Sequence, residues 1–236
     1  MTGRRAAQRA ETDARIMEAA RAQLRSVGAD RLSLRSVARD VGLVSSAVYR
    51  YVASRDALLT RLISDAYDSM GDAVESAIEA GSGDLDRWVA GALAVRAWAV
   101  ERPHEYLLLY GTPIPGYEAP DDTVQPGTRV VRALAQVADD AASAGRLVSA
   151  SATVPTVDPV DTVDSDDRLG RELRQLAATA GTHLDGRTVA ALIIGWTQLF
   201  GLVGFEITNQ TRGFVTDHEA LLTACATRTG WAIGLR

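Results

Sequence analysis

The stretch that decides the fold is residues 33–55, SLRSVARDVGLVSSAVYRYVASR. Leu34, Val37, Ala38 and Val41 fall at i, i+3, i+4 and i+7, one apolar stripe of a two-turn helix that Gly42 ends. Ser33 is its expected N-cap, and Ser45 is the expected cap of a second short helix reaching about Val52. Ala38 is small where the two helices would cross, Gly42 permits the left-handed backbone of the turn, and Val48 packs back across the crossing. Ala-x3-Gly-x5-Val, with apolar Val37, Val41 and Leu43 around it, is the pattern of a helix-turn-helix. The alternative is an ordinary helical corner.

Upstream, Ile16, Ala20, Leu24 and Val27 recur at helical spacing over residues 12–27, and Gly28 stops the run, which supplies the third, covering helix. Arg4, Arg5 and Arg9 precede it and read as a flexible basic arm, either plain disordered terminus or minor-groove contact. Downstream, Ser54 caps a long helix to about Ala80, whose Leu58, Leu62, Ala66, Met70, Ala73 and Ala77 share a face. At 1.5 Å per residue it would span roughly 38 Å, enough to link two domains mechanically. After Gly81-Ser82-Gly83 come a helix over residues 85–101 and a short one opened by Pro103. Residues 111–127 hold four prolines and three glycines and read as loop. A helix over about 127–147 follows, then an acidic, proline-interrupted segment, 149–167, expected to be mobile. Helices close the chain over 169–180, over 185–208, and after Thr216 and Glu219, which stand at capping-box spacing.

The chain has 236 residues, 47% hydrophobic and 23% charged, which is the composition of a soluble globular protein with a packed core. One cysteine, Cys225, provides no internal disulfide and no zinc site, which fits a reducing compartment and therefore the cytoplasm. The N-terminus carries no apolar run of the kind a secretory signal needs. The most apolar stretch, 190–205, includes Thr197 and Gln198 and falls short of the roughly 20 residues a membrane span requires, so it reads as a buried helix. The net charge of −5 hides an asymmetry. Residues 1–61 hold 12 arginines against 6 acids, a net of +6, and residues 62–236 hold 13 against 24, a net of −11. A basic module on an acidic remainder is the footprint of binding to a phosphate backbone, or else a solvated basic face.

Residues 16–59, with the run from Leu34 to Leu59 at their centre, resemble the signature of the TetR family of transcriptional regulators. Two positions depart from it: Tyr51 stands where that family commonly has histidine, and Arg55 where it has lysine. Tyrosine still donates to phosphate and arginine keeps the charge. The resemblance implies an all-α protein with an N-terminal three-helix DNA-binding domain, residues 1–54, and a larger helical effector and dimerisation domain, residues 55–236. It implies that the second short helix enters the major groove, with Ser46, Ala47 and Arg50 at base edges and Ser45, Tyr49 and Tyr51 at phosphates. Tyr49 alternatively belongs to the core. Ser33 and Arg35 would meet the backbone or a base, and Arg55 a phosphate at the start of the long helix.

For the rest of the chain, the pieces 107–117 and 195–201 are similar to an actinobacterial subgroup of TetR-type C-terminal domains. The implied partners are double-stranded DNA with a two-fold symmetric operator, a second copy of the chain, and a small-molecule effector, with no membrane and no cofactor. The helix opened by Asp185 and closed by Thr208, with Gly195, Gly201 and Gly204 permitting close approach, would pair with the last helix in a four-helix interface. Trp88, Trp98, Tyr106, Tyr110, Trp196 and Phe200 are candidate effector-cavity residues, with His104 and Glu105 as polar anchors; the alternative for the aromatics is plain core and for the anchors plain surface. Such an effector would act on the tilt of the long helix, and so on the spacing of two reading heads. A repressor is the favoured reading and an activator the alternative. Catalysis is not expected, because His104, His183 and His218 lie far apart in sequence, Gly81-Ser82-Gly83 lacks the lysine of a phosphate loop, and no nucleophile elbow or metal-ligand spacing occurs.

Overall fold

The structure, a computed structural model, describes residues 2–148 and 168–236. The acidic segment expected to be mobile, 149–167, lies outside the described residues. The described residues form helices and no strand: α1 (Thr2–Val27), α2 (Leu34–Asp40), α3 (Ser45–Val48), α4 (Arg55–Ala80), α5 (Asp84–Glu101), α6 (Pro103–Tyr110), α7 (Val124–Ser143), α8 (Arg168–Ala180), α9 (Gly186–Ile207) and α10 (His218–Ile233). They divide into two compact units that do not follow chain order: Met1–Ser69 with Arg102–Gly127, and Met70–Glu101 with Thr128–Arg236.

The first unit is built on one apolar cluster. Ile16, Ala20, Val37, Ala38, Val48, Leu58 and Leu62 are buried in it, so the face of α1, the α2 stripe and the start of α4 converge as their spacing predicts. Leu108, Ile114 and Tyr117 pack against the same cluster, and Tyr117 shares a 3.0 Å hydrogen bond with Thr60. The stretch after α6 is thus part of this unit's core.

Several boundaries differ from the sequence expectation, each for a local reason. α1 begins at Thr2, not near residue 12, because the alanine, arginine and glutamine of residues 4–10 are good helix formers with no breaker among them. Arg4, Arg5 and Arg9 therefore lie on a helix rather than in a flexible arm. Val44, not Ser45, holds the N-cap position of α3, and the helix ends at Val48 rather than Val52. Residues 111–127 are not wholly loop: a 3-10 turn at Asp121–Thr123 leads into α7 at Val124, with Pro126 in the first turn, where no N–H is missed. α10 is capped by Asp217, whose carboxylate accepts from the Ala220 N–H at 2.9 Å, not by Thr216.

In the second unit, α5, α9 and α10 pack closely around Trp88. Its indole N–H donates to the Ala226 carbonyl at 2.9 Å and to Thr229 at 3.3 Å, which satisfies the one polar atom such burial would otherwise orphan. Gly230 makes room for it: a Cβ there would meet Leu85 at 2.5 Å and Trp88 at 3.1 Å. Arg96 on α5 binds both oxygens of Glu206 at 2.8 Å and reaches Glu219 at 3.1 Å, tying the three helices together. At 22 residues α9 is long and apolar enough to cross a membrane, which corrects the length expected from 190–205. Its Val189, Leu192, Leu199 and Val203 are instead buried within this helical unit.

Candidate nucleic-acid interface and effector cavity

The reading surface is assembled by the α2–α3 crossing. Ala38 and Val48 are fully buried, and Gly42 turns the chain between them at φ 74°. The Leu43 N–H closes the turn on the Ala38 carbonyl at 2.8 Å. Beyond Val48 the chain continues in tight turns, with the Arg50 N–H donating to Ala47 at 3.2 Å and the Tyr51 N–H to Val48 at 2.9 Å. This brings Ser45, Ser46, Tyr49 and Arg50 to one exposed face, with Val44, 71% exposed, beside them.

Gln23 of α1, itself buried, braces both ends of α2. Its side-chain oxygen accepts from the Ser33 N–H at 3.5 Å and its amide donates to Asp40 at 2.7 Å. The Ser33 hydroxyl makes no cap hydrogen bond and Arg35 is exposed. At the other end, Arg9 of α1 lies 5.8 Å over the Tyr51 ring and donates to the Arg50 carbonyl at 3.4 Å. Neither brace was legible in the sequence, since both depend on which face of α1 meets α2 and α3.

Two expected contacts are placed differently. Ala47 is buried, so its methyl group faces the core rather than a base edge. Arg55 donates to the carbonyls of Leu32, Ala29 and Asp30 at 3.0–3.2 Å, so its guanidinium closes the α1–α2 connection instead of pointing to a phosphate. The departure from lysine has a physical account here: a planar fork reaches three carbonyls that one ammonium would serve less well.

The aromatic candidates separate. Trp88 and Trp196 line one apolar cavity of about 140 Å³ in the second unit, walled by α5, α7, α8 and α9 with Leu134, Leu192 and Thr182 among its lining. Phe200 packs against Trp196 at 5.8 Å between ring centres, and Trp98 is buried; neither lines this cavity. Tyr106 and Tyr110 belong to the first unit, where their rings stand 5.1 Å apart, Tyr67 meets Tyr110 edge-on at 6.2 Å, and burial pushes both phenols of the pair far up. His104 lines a separate hollow of about 400 Å³ in that unit, with Val27, Arg31 and Leu107. Glu105 beside it is half-buried, and desolvation raises its carboxyl above the usual range. Gly195, expected to admit a partner helix, abuts Trp88 within its own unit, its Cβ position 3.2 Å from the indole; Gly201 is the one with open space around it.

A helix-turn-helix that presents exposed serine, tyrosine and arginine, followed by an all-helical unit with an apolar cavity, defines a DNA-binding transcription regulator. Comparison with known proteins identifies the kind: residues 16–62 match the family of bacterial regulatory proteins typified by TetR, and 88–229 match the Tetracyclin repressor-like C-terminal domain. The chain belongs to the TetR family, whose members pair a DNA-binding helix-turn-helix with a C-terminal ligand-binding domain. It is 39% identical over 217 residues to the HTH-type transcriptional regulator Rv1816 of Mycobacterium tuberculosis, covering 88% of this chain and 86% of that protein. The crystal structure of protein SCO4313 superposes with TM-score 0.72 at 29% identity, over 94% of this chain and 96% of that one. A Rhodococcus protein of unknown function shares the fold at TM-score 0.70 and 19% identity, covering 94% and 95%.

Proposed function

We propose that the protein is a cytoplasmic repressor that binds a two-fold symmetric operator as a homodimer and is released from it by a small apolar effector. The observation that carries this reading is the exposed face of Ser45, Ser46, Tyr49 and Arg50 on a helix-turn-helix whose inner face is fully buried. Residues 1–54 form the reading head and residues 55–236 serve effector binding and dimerisation. Arg50 reads a base edge, Ser46 and Val44 add a polar and a methyl contact, and Ser33, Arg35, Ser45, Tyr49 and Tyr51 hold phosphates. Ala47 and Arg55 act inside the head.

The dimer reading is supported by α9 and α10. Ile194, Thr197, Gln198, Gly201 and Phe205 form one exposed stripe of α9, and Leu221, Ala224, Arg228 and Trp231 another on α10. Apolar groups left outside on two neighbouring helices need a cover, and a second copy supplies the same stripe by symmetry. Two heads would then meet half-sites about one helical turn, ~35 Å, apart. The effector must bind the DNA-free state more tightly to act at all.

Gel-shift titration on the DNA upstream of the gene, against a scrambled duplex at about 150 mM salt, tests the reading. At least about a thousandfold preference for the upstream DNA is expected. Equal weak binding to that duplex and to every sequence selected from random DNA would sink it. Phe205→Glu should convert the dimer to a monomer by sedimentation; a dimer unchanged by it would remove α9 from the interface.

A further inference from the structure

We propose that the cavity lined by Trp88 and Trp196 takes a small single-ring aromatic carboxylate, held by Arg132 at its rim. The inference rests on the reading of this cavity as the effector site and names the class of ligand. Fourteen residues line it and only Arg132 and Thr182 have polar side chains apart from the two indoles. The Thr182 hydroxyl donates to the Ala177 carbonyl at 3.4 Å and the Trp88 N–H is held by Ala226 and Thr229, so both protons are committed.

Arg132 differs from its neighbours. In the same unit Arg87 holds Asp140, Arg96 holds Glu206, Arg129 holds Glu75 and Arg146 holds Asp84, each at 2.6–3.0 Å. Arg132 is exposed and has no such partner among the described residues, yet it lines the cavity. A guanidinium left with an open fork beside an apolar hollow is complementary to a carboxylate, which it binds through two parallel hydrogen bonds. The opposite charge is disfavoured, because no aspartate or glutamate lines the cavity to meet a cation.

The volume sets the size. An apolar cavity of about 150 Å³ accommodates one benzene ring, and this one holds about 140 Å³. The ring would lie between the tryptophans and Leu192, with the carboxylate turned toward Arg132 and solvent. A long-chain acid would exceed the space, and a polar sugar would leave its hydroxyls unmatched by the lining.

Calorimetric titration of the full-length protein with benzoate, benzamide and benzylamine tests this, since the three share a ring and differ in charge. Benzoate should bind at least about tenfold tighter than benzamide, a difference of ~1.4 kcal/mol, and benzylamine should bind weakest. Arg132→Gln should remove that preference and leave benzamide affinity unchanged; Arg132 is exposed, so the fold tolerates the change. Leu192→Trp, which fills the hollow, should remove binding of all three. Equal affinities for benzoate and benzamide, or an Arg132→Gln protein that still prefers benzoate, would overturn the acid assignment while leaving the cavity as an effector site. Binding that survives Leu192→Trp, or no binding by any probe, would overturn both.

Discussion

The arginines of the reading head and those of the C-terminal unit are used in different ways. In the second unit Arg87, Arg96, Arg129 and Arg146 each close on a carboxylate, as a net-acidic region allows. In the head, Arg55 and Arg15 donate to backbone carbonyls, Arg61 and Arg21 hold Asp13 and Asp65, and Arg35 and Arg50 keep exposed side chains. Charge counting along the chain treats all of these alike. The difference teaches that a basic segment has two populations: arginines that brace the head, and arginines it presents.

The largest effect tests the frame on which both populations sit. Val48→Asp places an unpaired carboxylate in a site with no exposure, and should lower the head's unfolding free energy by about 4 kcal/mol, with operator binding lost. Thermal and urea melts check this, and a melt within about 1 kcal/mol of the parent's would mean that the α2–α3 crossing is not the core of the head.

The next test separates the two populations directly. Arg50→Ala should weaken operator binding by about 1–3 kcal/mol with unchanged melting, and Arg55→Ala should lower stability by about 1–3 kcal/mol because three carbonyls lose a charged donor. Reversed outcomes, with Arg55→Ala stable but blind to operator, would return Arg55 to the phosphate-binding set. A smaller loss, about 1–2 kcal/mol, is expected for Gly42→Ala. A Cβ there meets nothing within 4 Å, so the cost would come from the left-handed backbone alone.

The smallest effect concerns pH. The Arg61 hydrogen bonds at 2.9 and 2.5 Å hold the Asp13 carboxyl below its ordinary value. A carboxyl depressed on folding contributes stability that is present above its unfolded pKa, near 4, and is lost as pH falls through the lower folded value. Solvent reaches both partners, so the pair should contribute under about 1 kcal/mol. Arg61→Gln should flatten that acid limb in urea midpoints between about pH 5 and 2. A limb of unchanged slope would show that Asp13 does not report on the pair.

The helix-turn-helix was legible because its requirements are local. Leu34, Val37, Ala38 and Val41 set a stripe by spacing alone, Gly42 is needed where φ is positive, and Ser54 caps α4 on the Ala57 N–H at 3.0 Å as its position suggests. Boundaries were less so. Val44 in place of Ser45, and Asp217 in place of Thr216, differ by one residue, a choice made by where the preceding turn delivers the chain. The aromatic set was legible as a list and not as a site. Trp88 and Trp196 share a cavity, while Tyr106, Tyr110 and His104 fall in the other unit, and no periodicity records that sorting.

The sequence by itself determined the helical class, the helix-turn-helix, the basic head on an acidic remainder and the family, because each rests on residue type at fixed short spacing. Tertiary structure alone decided that Ala47 turns inward, that Arg55 closes a loop, that Gln23 and Arg9 brace the reading surface, and that residues 108–117 complete the head's core. It also decided that Arg132 is the arginine left open beside the cavity. Those outcomes depend on which faces meet across tens of residues, and packing sets them only once all the helices are in place.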